Sequence, residues 1–258
     1  MKKDENLIFV SVPFSLLKEK YLEVIIRERI NVEVVLGADA LDLYSYRNFR
    51  EIARILKEEG LKTTVHLPFM DLSPGALDPW IRETSLKRIR IAIETAVLFT
   101  PLNLVLHTGY HPDYHREKKL EWRKIFIEEL KKLKELTDSL ELVLSLENTF
   151  EPDPEFFKGI LKEIEGIFWC FDPAHARVFS EHEEISWLKA LYPWIKEMHC
   201  HDNKGIFDDH IGIGKGVIKF EQIFNFLKEK NLIPILTSEA HNEEDTYWNL
   251  KYLKTIFK

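Results

Sequence analysis

The sequence predicts one α/β domain over residues 1–258, a closed (β/α)8 TIM barrel. Three observations predict it. Eight short apolar runs alternate with eight amphipathic segments, the pattern of strands crossed over by helices. No linker, composition break or internal repeat divides the chain. All ten histidines fall at the C-terminal ends of predicted strands or in the loops that follow, the side on which such barrels build their sites.

Taken in order, the predicted strands are Leu7–Pro13, Val32–Asp39, Thr63–Phe69, Asn103–Tyr110, Glu141–Thr149, Ile167–His175, Ile195–Asp202 and Ile233–Ala240. Each is strand-length and rich in Val, Ile, Leu or Phe. The helical patterns are Leu16–Arg29, Phe49–Glu59, Glu83–Phe99, Lys118–Leu136, Pro154–Ile164, Ile185–Trp194, Phe220–Lys230 and Asp245–Phe257. Gly60 stands where a helix should end, just before the third strand. Asp153-Pro154 makes a helix start; Asp172-Pro173 lies within the sixth predicted strand, with a turn there as the lesser alternative. A doubly wound open sheet would more often open on a glycine-rich first βα turn; here that turn is Val-Pro-Phe-Ser.

Composition narrows the class. Charged residues are 31% and hydrophobic ones 45%, with 10 Gly and 11 Pro, which excludes collagen-like, low-complexity and bulk disordered chains. No apolar run nears the roughly 18 residues of a membrane span. The opening MKKDENLIFVSVPF is too short in apolar residues for a secretory signal. Two cysteines, Cys170 and Cys200, make no disulfide framework, so a cytoplasmic location is expected. The net charge of −7 argues against a nucleic-acid partner, although a local basic patch would escape the total.

Strand parity locates the chemistry. Val143, Ser145 and Glu147 share one strand face and the intervening leucines the other, so Glu147 is expected to point into the barrel mouth. Glu239 shares a face with Thr237, and His199 with His201. A carboxylate or imidazole ending an apolar strand is costly to bury unless paired or coordinating. Several converging on one mouth imply a metal site.

These segments resemble the xylose-isomerase-like TIM-barrel superfamily, which holds sugar (phosphate) isomerases and epimerases together with endonuclease-IV-type abasic-site nucleases. The resemblance is carried by VHLPFMDL, VLHTGYH, SLENTF, CFDPAHA, EMHCHDNKGIFDDHIGIGKG and TSEAH, and covers nearly the whole chain. It implies four shared ligands for a divalent metal, Glu147, Asp172, His199 and Glu239. The nuclease branch adds five, matching His66, His107, His175, Asp208 and His210. Asp209 adjoins Asp208, so that register is open by one residue. His201 is expected either to contact substrate or to support the ligands, Lys204 to contact substrate, and His175 either to orient substrate or to bind metal. His111, His115, His182 and His241 read as ordinary loop residues. Gly212, Gly214 and Gly216 read as a turn allowing close backbone approach.

Two activities follow from the resemblance. In the first, a sugar or sugar-phosphate isomerase or epimerase uses zinc or manganese to stabilise an enediolate, while Glu147 and Glu239 move the proton. In the second, a zinc phosphodiesterase or abasic-site nuclease uses up to three ions. The full ligand set favours the second. The acidic total and a third-strand loop, PFMDLSPGALDPW, without Lys or Arg favour the first, with a small sugar as partner.

Overall fold

Strands buried on both faces need both their side-chain rows covered, and a ring of parallel strands inside a ring of helices does this. The computed structural model describes residues 7–256, and over them the eight expected strands all form: β1 (Ile8–Pro13), β2 (Asn31–Val35), β3 (Thr63–His66), β4 (Leu104–His107), β5 (Leu144–Glu147), β6 (Ile167–Phe171), β7 (Ile195–Cys200) and β8 (Ile235–Ser238). They pair in sequence order, all parallel, and β8 closes onto β1. The predicted helix reaching Phe257 runs there into a residue outside those described.

The barrel helices are α1 (Phe14–Leu16), continuing through a π-helical turn at Leu17–Tyr21 into α2 (Leu22–Glu28), then α4 (Tyr46–Glu58), α5 (Pro79–Ala96), α7 (Lys119–Ser139), α8 (Pro154–Leu161), α10 (Glu184–Leu191), α11 (Phe220–Glu229) and α12 (Glu243–Ile256). Three short helices occupy loops at the strand ends: α3 (Ala38–Leu43), α6 (Pro112–His115) and α9 (Pro173–Phe179). Local chemistry sets several boundaries. Asp78 and Asp153 accept backbone N–H bonds at the starts of α5 and α8, each before a proline at the first helical position. Gly60 takes a φ of 67° after α4, the left-handed conformation that ends a helix at little cost.

All eight strands are shorter than predicted, and in two of them a helix takes over part of the predicted span. Val32–Asp39 stops at Val35, because α3 begins at Ala38. Ile167–His175 stops at Phe171, because Asp172 caps α9 by accepting the His175 N–H at 2.8 Å. Asp172-Pro173 is therefore a helix start, neither strand nor simple turn.

Leu144 and Leu146 are fully buried against the outer helices, as parity requires. Each such leucine contributes about 1.5–3 kcal/mol. The opposite, inner row is polar over much of its depth. Glu33, Thr64, Asn103, Ser145, Glu197 and Thr237 are all buried there. Register then sets the mouth: His107 lies beside Glu147 across β4 and β5, and His199 beside Thr237 across β7 and β8.

Candidate metal centre

Glu147 is the hub. It ends β5, is 1% exposed, and faces imidazoles with both oxygens. Oε2 lies 2.9 Å from His107 Nε2 and 3.1 Å from His66 Nε2. Oε1 lies 3.0 Å from His175 Nδ1 and 3.4 Å from His199 Nδ1. His199 Nδ1 is also 3.2 Å from Glu239 Oε2. Ligand atoms of Glu147, Asp172, His199 and Glu239 all fall within 4.8 Å of one another, and so do those of His66, Glu147 and His199. A third group, His175, His201, Asp208 and His210, meets the same limit. There, Asp208 Oδ2 is 2.9 Å from His210 Nε2 and 3.2 Å from His175 Nε2. Asp209 turns away and accepts the Lys204 backbone N–H, so the register falls on Asp208.

Backbone carbonyls fix how three of the imidazoles face. Nδ1–H of His66 donates to Leu67 O at 2.8 Å, that of His210 to Glu239 O at 2.8 Å, and that of His175 to Asn148 O at 3.0 Å. Each then presents Nε2 to a carboxylate, an arrangement that orients metal-binding histidines. His210 has a φ of 50°, a left-handed backbone that costs a non-glycine residue roughly 1–2 kcal/mol. Its carbonyl is held by the His241 N–H, and its ring is stacked between His201 and His241 at 3.8 and 3.9 Å.

The electrostatics match. Burial opposes charge on Glu147, but His199, His107 and His175 outweigh it and hold its carboxyl well below the usual carboxylate range. Burial likewise opposes charge on His66 and His210, yet Glu147 holds the first up to about 9 and Asp208 the second up to about 9. His107 moves the other way, lowered first by burial and also by its histidine neighbours. Lower in the barrel, burial and the nearby Glu33 carboxylate push Glu197 up to about 8. Burial drives both cysteine thiols up, and neither is in a disulfide.

The residues fit a divalent ion. His199 Nδ1 and Nε2, His201 Nδ1 and Asp208 Oδ1 are buried without a hydrogen-bond partner. Such orphans are costly. An all-nitrogen-and-oxygen donor set suits zinc, manganese or cobalt.

Two expected substrate contacts are placed differently. His201 is fully buried, its Nε2 bonded to Asp172 at 2.9 Å, and it does not line the cavity above the centre. It contacts two candidate ligands, Asp172 and the stacked His210 ring. Lys204 is exposed and also lies outside that cavity. His111 and His115 cap and pack α6, while His241 joins the imidazole stack.

The glycines of the seventh loop approach a side chain of this chain. Asp202 is fully buried; its Oδ1 accepts N–H bonds from Asn203 and Ile218, and its Oδ2 from Gly214 and Gly216. A Cβ at Gly216 would lie 2.3 Å from Asp202 Oδ1 and 2.1 Å from Asn203 O. Asn148 does similar work between β5 and β6. It donates to Asp172 O and accepts from the Asp172 N–H and the Trp169 indole. Neither role follows from the sequence reading above, although HxHDN and the following glycines carry the signal for the first.

A barrel whose strand ends and following loops gather nine candidate ligands at one mouth, Glu147 among them, defines a class of metal-site barrels. A family model described as "Xylose isomerase-like TIM barrel" matches residues 26–256, and the chain belongs to that family. Among curated relatives, the uncharacterized protein MJ1614 of Methanocaldococcus jannaschii is 29% identical over 240 residues, covering 91% of each chain. Among solved structures, a D-tagatose 3-epimerase-like protein is 25% identical, with a TM-score of 0.82 over 96% of each chain. The TTHB071 protein from Thermus thermophilus, soaked with ZnCl2, is 24% identical, with a TM-score of 0.78 over 98% of each chain. Among the described residues, no helix is long and apolar enough to cross a membrane.

Proposed function

We propose that this protein is a divalent-metal-dependent epimerase or isomerase of a small, unphosphorylated sugar. The carrying observation is a four-residue ligand group opening into a small-molecule cavity whose lining, among the described residues, offers no unpaired cation. That cavity holds about 940 Å³, within the range of roughly 300–1,000 Å³ that suits small ligands. Its floor is formed by Glu147, Glu239, His66, His107 and His175, and its walls include Val12, Leu16, Phe69 and Met70. The lining lysine and arginine, Lys20 and Arg27, each pair with a carboxylate, Glu243 at 2.8 Å and Glu28 at 3.0 Å, and the lining His66 and His210 pair with Glu147 and Asp208. A phosphate or a nucleic-acid backbone would need such charges free. The epimerase-like structural neighbour supports the same reading.

Glu147, Asp172, His199 and Glu239 would hold the ion, which supplies Lewis-acid polarisation of a carbonyl and its neighbouring hydroxyl. Glu239 opens onto the cavity with a 14% exposed side chain, while Glu147 is nearly enclosed. One carboxylate removes the proton from the carbon beside the carbonyl, and the other returns a proton. His175 lines the same floor and orients a substrate hydroxyl. The apolar walls exclude water from the carbanion-like intermediate.

A second reading rests on a different observation. Eight of the nine candidate ligands fall into three groups, two of which share Glu147 and His199, and His107 reaches Glu147 at 2.9 Å, enough for a zinc phosphodiester hydrolase with several ions. Parallel assays separate the two: solvent-deuterium incorporation and product formation on a ketose and aldose panel, and cleavage of a duplex bearing one abasic site. The epimerase reading expects sugar turnover with Mn²⁺, Co²⁺ or Zn²⁺, abolished in Glu239→Gln while circular dichroism shows the barrel still folded. Duplex cleavage without sugar turnover, at about three zinc ions per chain, would replace it with the hydrolase.

A further inference from the structure

Among the candidate ligand histidines, His199 is held differently from three others. His66, His175 and His210 each lean Nδ1–H on a backbone carbonyl and offer Nε2, with His175 Nδ1 also 3.0 Å from Glu147 Oε1. His199 does the reverse: Nδ1 faces Glu147 and Glu239. It lies inside β7, where backbone carbonyls are committed to the strand ladder, so none is free to hold its ring. Its Nε2 instead points down the barrel, 3.5 Å from Glu33 Oε1.

Glu33 lies in β2 between Ser11 of β1 and Thr64 of β3, and is fully buried. Around it the polar groups are taken. The Thr64 hydroxyl reaches Glu33 Oε2 and Glu197 Oε1, both at 3.4 Å. Asn103 donates to Glu197 Oε2 at 2.8 Å, Thr237 donates to Glu197 Oε1, and Ser145 donates to Asn103. Glu33 Oε1 and His199 Nε2 are left facing each other as acceptor and donor, both buried and neither in another hydrogen bond, with the Cys170 thiol the other polar group beside the His199 ring.

We infer that Glu33 is a positioning residue for the metal centre: it holds the proton of His199 on Nε2 and so leaves Nδ1 as the ligand nitrogen. The inference rests on the metal-centre part of the proposed function and is independent of the substrate. Carboxylates placed behind metal-binding imidazoles typically change metal affinity about 10–100-fold when removed.

The test uses the full chain labelled with ¹⁵N-histidine. Long-range ¹H–¹⁵N correlation spectra of the zinc-loaded protein read the His199 tautomer, its signals assigned by their loss in His199→Asn. The expected result is a proton on Nε2 and a zinc-shifted Nδ1. Competition with a chelator should show zinc binding weakened about 10–100-fold in Glu33→Leu. Glu33→Gln keeps an acceptor oxygen and should recover part of that loss. Zinc bound through Nε2 of His199 overturns the inference, whether or not the leucine variant folds. Folded Glu33→Leu binding zinc as tightly as wild type overturns it too, leaving the metal centre intact. Failure of the wild type to bind any divalent ion would remove the inference and the metal reading together.

Discussion

Asp202→Ala tests whether the seventh loop is held by one buried carboxylate. The substitution strips the acceptor from four N–H groups, those of Asn203, Gly214, Gly216 and Ile218, at 2.8–3.1 Å. Gly214 and Gly216 are exposed, so water can replace their bonds. Asn203 and Ile218 are buried. Each buried donor left unpaired costs about 1–3 kcal/mol, giving a loss of about 2–6 kcal/mol against the roughly 5–15 kcal/mol that holds a native domain together. At about 2–4 °C per kcal/mol for a chain of this size, the melting temperature should fall by on the order of 10 °C. The same loop carries Asp208 and His210, so zinc content should drop with it. Asp202→Asn should share much of the loss, because its NH₂ would face N–H donors. Urea unfolding and metal analysis of the purified variants read both effects. A loss below about 1 kcal/mol with wild-type zinc content would refute the reasoning, since it would mean the four amides find other partners at no cost.

Two further outcomes are expected. In chelator, stability should be greatest between about pH 4.5 and 6.5. His66 and His210 are held up to about 9, so their contribution is complete below the ordinary 6.5 and is lost as pH rises through about 9. Glu147, Glu239 and Asp208 are held low, so theirs is present above the ordinary carboxylate range and lost as pH falls. Melting curves that climb steadily to pH 9 would contradict this. Asp208→Asn should lower metal content and activity, whereas Asp209→Asn, which loses only one bond to the Lys204 N–H, should change stability by about 0.5–1.5 kcal/mol and leave metal content alone. Equal effects from the two would place the loop differently.

The barrel and most of its mouth were legible because their signals are periodic or terminal. Leu144 and Leu146 against Ser145 and Glu147 announce a two-faced strand, and the structure follows that parity. What escaped lies where a local signal has two readings. Asp-Pro marks a helix start at Asp153 and again at Asp172, but only the first precedes an obvious amphipathic run. Asp208 and Asp209 differ only in which one the left-handed turn at His210 aims inward, and nothing adjacent in sequence states that. The Asp202 cradle needs Gly214, Gly216 and Ile218 to return to it across more than ten residues, a closure that no window reveals.

Glu33 shows what a further rule would have recovered. A glutamate midway along an apolar strand reads as one polar position in a two-residue period, and parity alone sends it inward without saying why it is tolerated. The reason lies with its partner. Ligand histidines beside a strand end or in a loop find a free carbonyl for the second ring nitrogen, as His66 finds Leu67 and His210 finds Glu239. A ligand histidine within a strand finds none, because the ladder has already used those carbonyls. A buried side-chain acceptor must come from the layer beneath, from a strand that faces it across the barrel. In Ile195–Cys200 the histidine is inside the strand, and in Asn31–Val35 the inward glutamate stands one layer below it. The polar barrel floor is then a consequence of placing a ligand in mid-strand. Glu33 serves the imidazole, Thr64 and Thr237 satisfy the carboxylates, and Asn103 and Ser145 complete the chain of bonds.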